Sequence, residues 1–503
     1  MVDSYHIDIL YFVAMSARLP LLGKTPFVLD PRPLEEATSA HAGLLCVSRA
    51  YRSLGIPAMI EANLPLRKRE RGFSEAQIIE SVVLLQVAGG ECPEDIRLLA
   101  DDACLERGLG YAPPRATATR EFLERFHDKD LEKLRPARED QKSFIFPASG
   151  PVSALQEVQA GCVRRVARLY EQQGQKQTIA TIDQDATIIE SHKQAALSHY
   201  EGGRGYQPMV AVWAELDLAL ADEFRDGNVP AKQAPLTCAK MAFAALPESI
   251  RQRYFRGDSA CHENELLDWL KHPDRAKEPG GRIGFAVSAV MSPALGEAIK
   301  KVSEQQWKTF DTEADGTLRQ WAEVDFVPGD DYESKDSQPL RYVGLRLLKP
   351  QGLLFADGSD RHHHAVITNQ KEMDGGRLLQ WHREKAGTVE HTHDEVKNEL
   401  AGGRMPSQRF GVNGAWFKLS LLAYNVVSAI KGLCLEGEER TVRLKKFRLL
   451  LIHLAGRMNR NNCVMGLRLC ADAKTIKRMQ KVWEVFALPT QATSIQARGG
   501  RGG

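Results

Sequence analysis

The chain has 503 residues, which is more than one compact domain usually holds, so the length predicts about two to four domains. Apolar residues make up 43% and charged residues 26% of the sequence, the ordinary balance of a globular protein in water. No apolar run approaches the ~20 residues of a membrane helix, and the N-terminal apolar stretch lacks the basic flank of a signal peptide. We therefore expect no membrane association and a cytoplasmic location.

The cysteines and the charge distribution narrow the class of protein further. The nine cysteines are scattered and form no CxxC pair, so they predict neither a disulfide framework nor a cysteine zinc site. The net charge is only +2, but the residues from Arg440 onwards carry 14 Lys and Arg against two acids. That end is thus strongly basic on an otherwise acidic chain, which favours a polyanionic partner.

The first part of the chain, residues 1–130, has a helical pattern. Ser74 and Gln77 can form a capping box at the start of a helix, and Gly89 follows its apolar face as a stop signal. A charge-rich stretch with Pro136 is the best linker candidate. Together with a helix predicted from residue 154 to about 171, it fills residues 131–175.

Strands and helices alternate after residue 176, which predicts a mixed α/β sheet with helices on its faces. The predicted strands are 179–189, 205–216, 218–224, 251–258 and 282–290, and the predicted helices between them are 234–246 and 263–271. Residues 303–384 are predicted to be a β-rich insertion, because short strand-like runs stand among Gly, Asp and Pro. These runs are 324–327, 340–348 and 364–368. Helices are predicted again at 388–400, 414–433, 441–458 and 473–487.

Acidic side chains stand out at three places after residue 176. Strand alternation places Asp183 and Asp185 on one face of the strand 179–189, opposite an apolar face, and such a pair is costly without a balancing cation. Asp258 ends another predicted strand beside a glycine, where it could bind a metal or cap a helix; taken alone, the cap is the better reading. Glu390 and Lys397 are seven residues apart and therefore share one face of a predicted helix.

The order of these acids and the residues around them resemble the DDE transposases of bacterial insertion sequences, group one, and most closely the thirteen-eighty family of insertion sequences. The matching segments are Ile182-Asp183-Gln184-Asp185-Ala186-Thr187, His192-Lys193-Gln194, Gly205-Tyr206-Gln207-Pro208, Arg225-Asp226-Gly227-Asn228, Arg256-Gly257-Asp258-Ser259, Ala365-Val366-Ile367-Thr368-Asn369 and Ala423-Tyr424-Asn425. The spacing of Glu390 and Lys397 matches the Glu-x6-Lys element of the wider superfamily. The resemblance covers nearly the whole chain.

The resemblance implies a fold and a domain plan. The fold is an α/β ribonuclease-H-like mixed sheet core with a β-rich insertion, flanked by α-helical N- and C-terminal regions. Residues 1–130 would bind the DNA ends, 176–302 and 385–435 would form the catalytic core, 303–384 the insertion, and 436–503 a basic helical C-terminal region.

The resemblance also implies the chemistry. Asp185, Asp258 and Glu390 would be the catalytic acids and the ligands of two Mg²⁺ ions, with Mn²⁺ as a substitute, and Asp183 is the rival for the first acid. The reaction would be cut-and-paste transposition on double-stranded DNA, at the terminal inverted repeats and the target, by a homodimer associated with the nucleoid. No GxxxxGK[ST] loop is present, so no nucleotide cofactor is expected.

Positively charged residues complete the expected DNA contacts. Lys397 and Arg383 lie near the acids, and Lys445 and Lys446 lie in the basic C-terminal region. The other basic side chains of that region's predicted helices are also expected to contact phosphates: Arg443, Arg448, Lys474, Lys477, Arg478 and Lys481. The chain departs from the superfamily four residues before Glu390, where Ala386 replaces an arginine, so either Arg383 or Lys385 would take over its work. Trp307 and Trp321 lie in the insertion, and core packing is favoured for both over base stacking.

Two alternative functions stay open on the sequence. One is a metal-dependent nuclease on the same fold that does not join strands. The other is a catalytically silent DNA-binding protein derived from a transposase, which the presence of all three acids disfavours.

Overall fold

The computed structural model describes residues 36–67, 72–137, 140, 142–328, 339–461 and 464–488. The part of the predicted helical region before residue 36 lies outside these residues. The described residues from Ala37 onwards belong to one compact unit.

Short helices dominate the described part of the N-terminal region, as the sequence predicts. After the two-residue strand β1 (Thr38–Ser39) come α1 (Leu44–Ser53), α2 (Ile56–Asn63), α3 (Glu75–Ala88), α4 (Arg97–Ala100), α5 (Ala103–Leu109), α6 (Ala116–Glu124), α7 (Lys129–Glu132) and α8 (Gly150–Gln172). The predicted capping box starts α3, because the Ser74 hydroxyl accepts the Gln77 amide at 3.1 Å and the Gln77 side chain accepts the Ser74 amide at 2.9 Å. Gly89 ends the helix with a φ of 100°, a backbone conformation that favours glycine.

The α/β part begins after α8 and closely follows the predicted order. It comprises β2 (Ile179–Ala186), β3 (Ile189–Glu190), β4 (Leu197–Ser198), β5 (Arg204–Tyr206), β6 (Met209–Trp213), β7 (Leu218–Glu223), α9 (Pro235–Ala245), β8 (Gln252–Gly257), α10 (Asn264–Lys271), β9 (Ile283–Ser288) and α11 (Pro293–Lys300). Strands β3, β5 and β4 form a small sheet of their own.

The insertion contributes more strands, and then the chain returns to helices. These elements are β10 (Lys308–Thr312), β11 (Leu318–Val324), β12 (Arg341–Leu348), β13 (Arg361–Thr368), α12 (Gly375–Arg383) and α13 (Val389–Asn398). The insertion is thus rich in β-structure, and its first two strands lie earlier than the predicted strand-like run 324–327.

One nine-stranded sheet unites both parts, in the order β10-β11-β12-β13-β9-β8-β2-β6-β7. Strands β2, β6 and β7 are antiparallel neighbours, whereas β8 runs parallel to β2 and β9 runs parallel to β8. The insertion is therefore not a separate sheet, because β13 pairs antiparallel with the outer edge of β9. The ends of β2 and β8 lie near the middle of this sheet.

The helix α14 (Phe410–Cys434) forms the centre of the core and packs against α3, α8 and β7. Among the described residues it is the one helix apolar and long enough to cross a membrane by composition, but 94% of its most apolar window is buried inside the protein, as in a core helix. Its polar side chains are paired: Asn425 hydrogen-bonds both the amide and the carbonyl of Ala219 in β7, at 2.7 and 2.8 Å. The buried Lys418 ammonium binds the Asp222 carboxylate.

The C-terminal region differs from its prediction. Helix α15 (Leu444–Phe447) and a π-helical turn (Arg448–Ile452) are followed by a hairpin of β14 (Gly456–Asn461) and β15 (Val464–Leu469), and then by α16 (Ala473–Val485). The predicted helix 441–458 is therefore wrong beyond residue 452. The N-terminal strand β1 pairs with β14, and this long-range pairing overrides a weak helical pattern in a stretch with Gly456 and two asparagines.

Both insertion tryptophans are core residues, as favoured from the sequence. Trp307 and Trp321 are each 8% exposed. Trp321 lies so close to the start of α12 that a Cβ built on Gly375 would stand 2.2 Å from its ring. Glycine is thus required at that position for α12, which leads into the acid-bearing part of the chain, to lie on β11.

We expect Gly375→Ala to lower the free energy of unfolding by about 1–3 kcal/mol, because the added methyl group overlaps the Trp321 ring. Gly296→Ala in α11 is the matched control, since nothing lies within 4 Å of a Cβ built there. The control should be neutral or stabilise the chain by up to about 1 kcal/mol. Urea unfolding of both variants measures the difference; equal midpoints would contradict the described packing of α12.

Candidate active site

Two acids lie side by side at the carboxyl ends of neighbouring parallel strands. The register pairs Gln184 of β2 with Gly257 of β8, so Asp185 and Asp258 are the next residues along the two strands. Asp258 also accepts the amide of Ala260 at 3.0 Å and caps a short 3-10 helix. The cap and a role as metal ligand are therefore not alternatives, because one carboxylate oxygen serves the cap.

The electrostatics of this pair are unfavourable for two negative charges. Burial raises the pKa of Asp185 to about 7, and the charge of Asp258 adds to the rise. Burial also raises the pKa of Asp258, against the opposing effect of the Lys385 ammonium and of the amides that it accepts. Half-buried carboxylates with raised pKa values gain from a nearby cation, which favours their charged forms.

The third acid approaches this pair from α13, with a lysine between them. Glu390 lies in the first turn of α13, and its side chain is 55% exposed. The Lys385 Nζ lies 3.9 Å from Asp185 Oδ2 and 3.6 Å from Glu390 Oε1. Within the described part of the chain, no three His, Cys, Asp or Glu side chains converge as a metal cluster. The Lys385 ammonium therefore lies between Asp185 and Glu390, and Asp258 lies beside Asp185 on the neighbouring strand.

Asp183 has a different environment from Asp185. It is fully buried and forms a two-point ion pair with Arg256, at 2.6 and 2.8 Å, and it also accepts the hydroxyl of Thr388. The Arg256 guanidinium further donates to Glu384 at 2.9 Å and to the carbonyl of Trp381 at 2.5 Å. These contacts join β2 and β8 to the turn before α13. They commit the Asp183 carboxylate to partners within the protein, which favours Asp185 over Asp183 as the first of the three predicted acids.

The predicted Glu-x6-Lys element meets the last residue of the matching segment that runs from Ile182 to Thr187. Lys397, two turns after Glu390 on α13, donates from Nζ to the Thr187 hydroxyl at 3.1 Å. Burial lowers the pKa of Lys397, whereas Asp394, Glu201 and Glu190 oppose that effect. The lysine thereby ties α13 to the end of β2.

Arg383 and Lys385, the two candidates to replace the superfamily arginine absent at Ala386, occupy different positions. Arg383 is largely exposed and pairs with Asp311 of the insertion at 3.2 Å, whereas Lys385 contacts the acids themselves. Both line a cleft of about 990 Å³ between the insertion and the acids. Further residues that line this cleft are Asp258, Ser288, Phe310, Arg319 and Glu390.

Some basic side chains of the C-terminal region are exposed, whereas others are buried or paired within the protein. Lys445 and Lys446 are exposed on α15. Arg448, expected from the sequence to contact phosphates, is instead buried and donates to the carbonyls of Val87, Gln86 and Glu399. That expectation is corrected for Arg448, because its guanidinium ties the segment to the end of α3. Other basic side chains of this region are paired within the protein: Arg443 with Asp394 and Glu399, and Lys474 and Arg478 with Glu439.

Arg256 and Thr388 were not singled out from the sequence. Arg256 could have been found, since strand alternation puts it on the same face of β8 as Asp258, just as Asp183 shares a face with Asp185. Two neighbouring parallel strands with matched charges predict a cross-strand pair once their register is known. Thr388 carried no such signal, because its contact with Asp183 depends on how the chain turns into α13.

A family model described as "Transposase DDE domain group 1" matches residues 35–489, well over half of the chain. No curated protein matches the sequence. Among solved structures, the chain is similar to the piggyBac transposase in a synaptic complex with hairpin DNA, with 10% identity, a TM-score of 0.37, and coverage of 89% of this chain and 86% of that chain. On the strength of the family match, this chain belongs to the group 1 DDE transposases.

Proposed function

We propose that this transposase moves its element by cut-and-paste, cleaving DNA at the element ends and joining it to a target with two Mg²⁺ ions held by Asp185, Asp258 and Glu390. The observation that carries the proposal is the position of Asp185 and Asp258 at adjacent ends of β2 and β8, with Glu390 facing them from α13. Mn²⁺ would substitute for Mg²⁺.

We infer a ribonuclease-H-like core from the strand arrangement. Three antiparallel strands, β2, β6 and β7, are followed by the two parallel strands β8 and β9 on the other side of β2. The first acid lies on the first of these five strands, and the second acid follows the fourth. This placement matches the order that the resemblance implies.

The residues present fit a divalent cation. All three donors are carboxylates, which Mg²⁺ prefers. Burial, and then the charge of Asp258, raises the pKa of Asp185, so its charged form gains from a bound cation. Glu390 is exposed enough to turn toward the two aspartates. Bound ions would stabilise the attacking and leaving oxygens of a phosphodiester displacement.

The chain's own basic residues would hold and orient the DNA. Lys397 lies beside Thr187 at the end of β2, and Arg383 lies on the wall of the cleft. Lys445 and Lys446 are exposed and would contact phosphates further from the acids. Backbone contacts of this kind position a duplex without reading its sequence.

Sequence recognition then has to come from elsewhere in the chain. We propose that the N-terminal helical region binds the terminal inverted repeats and that a homodimer pairs the two ends. The working complex would be associated with the nucleoid in the cytoplasm. The transposase family to which the chain belongs supports a DNA substrate.

Asp185→Asn, Asp258→Asn and Glu390→Gln should each reduce DNA cleavage about a thousandfold or more, because each removes a negatively charged ligand at the reacting phosphate. End-DNA binding should change little. Cleavage of labelled end DNA, measured beside a gel-shift titration, separates the two effects. Near-wild-type cleavage by any one variant would remove that residue from the site.

Substitutions of the two aspartates of β2, Asp183 and Asp185, should change the free energy of unfolding differently. Asp183→Asn breaks a buried pair with Arg256 and should lower the free energy of unfolding by about 3–5 kcal/mol. Asp185→Asn should leave the metal-free protein as stable or make it more stable above pH 7, because the raised pKa means that the fold disfavours the charged carboxylate there. Thermal unfolding in EDTA tests both; a larger loss for Asp185→Asn would exchange their assigned roles.

A double Lys445→Ala, Lys446→Ala variant should weaken binding to end DNA and to unrelated DNA alike. The logarithmic salt slope should fall by roughly 0.9 for each DNA phosphate that the variant no longer neutralises, because fewer counterions are released. Affinities measured at several salt concentrations give this slope directly.

Lys474→Ala is the control for that experiment, since the Lys474 ammonium already pairs with Glu439 at 3.0 Å. Its salt slope should stay close to the wild-type value. If the Lys445/Lys446 variant also keeps the wild-type slope, these two lysines do not contact DNA.

A further inference from the structure

The Lys385 ammonium occupies an unusual position among the acids. It is only 12% exposed and lies between Asp185 and Glu390, within 3.9 and 3.6 Å of their carboxylate oxygens. Its charge also opposes the rise in the pKa of Asp258. The positive charge of Lys385 therefore offsets negative charge at all three acids that the proposed function assigns to metal binding.

The backbone on either side of Lys385 is held firmly. The Thr388 amide donates to the Lys385 carbonyl at 3.1 Å, and the Thr388 hydroxyl donates to Asp183. Arg256 fixes the preceding residue, Glu384, at 2.9 Å. The turn is thus anchored to β2 and β8, and only the long side chain of Lys385 is left to move.

The other basic groups near the cleft cannot take this role. Lys397 donates to Thr187, and Arg383 pairs with Asp311. Burial lowers the pKa of His382 to about 4 and that of His393 to about 3, so both imidazoles are neutral near pH 7. Within the described residues, Lys385 is the side chain that brings positive charge into ion-pair distance of Asp185 and Glu390.

We propose that Lys385 is a built-in counter-ion that bridges Asp185 and Glu390 in the metal-free protein and competes with divalent cations for them. This inference rests on the proposed function, because it takes the three acids as the metal ligands. Like charges repel, so a divalent ion bound by these acids and the Lys385 ammonium cannot both remain in direct contact with them.

A divalent ion that binds the acids would displace the Lys385 ammonium to a second position in the same cleft. Its flexible stem would let the ammonium swing toward the DNA while the anchored turn stays in place. The competition makes the metal-free site stable and its metal affinity modest. Phosphate in the cleft would attract the displaced ammonium and so favour metal binding once DNA is present.

The test is Mn²⁺ affinity of the full chain without DNA, measured from the signal of free Mn²⁺ by electron paramagnetic resonance. Lys385→Met keeps the length of the side chain and removes its charge. We expect the variant to bind Mn²⁺ on the order of tenfold more tightly than the wild type, because a repelling charge about 4 Å away is gone. Damage to the site would weaken binding instead, so the direction of the change is diagnostic.

Two controls sharpen the result. Lys385→Arg keeps the positive charge and should bind Mn²⁺ with near-wild-type affinity. Arg383→Met removes a charge from the same cleft without touching the acids, so it should change the Mn²⁺ affinity by less than about twofold. Equal or weaker Mn²⁺ binding by Lys385→Met, with binding by the wild type intact, would overturn the counter-ion role alone. Absence of Mn²⁺ binding from the wild type and Lys385→Met alike would overturn the proposed metal site as well.

Discussion

The burial of Asp185 beside Asp258 is the constraint around which the centre of this structure is arranged. Neighbouring parallel strands bring the two carboxylates together where water is largely excluded, and burial then raises the pKa of both. An enzyme that needs these acids charged has to supply positive charge nearby. The structure does so with Lys385, whose ammonium lies between Asp185 and Glu390.

A second, fully buried charge pair keeps that arrangement in register. Asp183 of β2 pairs with Arg256 of β8, and each lies two residues before the acid of its own strand, Asp185 or Asp258. Arg256 also binds the turn that carries Lys385. Buried pairs contribute little net stability, but removing one partner leaves an uncompensated charge. The pair therefore fixes geometry: the strand that carries Asp185 and the segment that leads to Glu390 are tied to one guanidinium.

The helix α13 is fixed from its other side by the C-terminal region. Glu395, in the middle of α13, accepts Lys431 of the core helix α14 at 3.3 Å and the backbone amide of Leu444 at 2.7 Å. Arg448 connects the end of α13 with the end of α3. The segment that carries the exposed Lys445 and Lys446 is thus packed directly on the helix that carries Glu390 and Lys397.

Much of this fold follows from local patterns in the sequence. The capping box of α3 and the strands β2, β7, β8 and β9 could be predicted, because periodicity and cap chemistry are local. The positions of Asp185 on β2 and of Asp258 after β8 could be predicted on the same ground. The pairing of β13 with β9 and of β1 with β14 could not, since strand partners far apart in sequence leave no local signal. Contacts between distant residues also decide two further points. The sequence could not choose between Arg383 and Lys385 as the replacement for the superfamily arginine, and it predicted that Arg448 contacts DNA, whereas Arg448 is buried in the core.

The central claim, that Asp185, Asp258 and Glu390 hold the metal ions of a transposase, is tested most directly by locating Mn²⁺ in crystals of the full chain by anomalous scattering. The account predicts Mn²⁺ bound to the carboxylates of Asp185 and Asp258, with the Lys385 ammonium displaced from the position that it occupies between Asp185 and Glu390. Mn²⁺ found only at other side chains, with Lys385 still between those two acids at saturating metal, would contradict it.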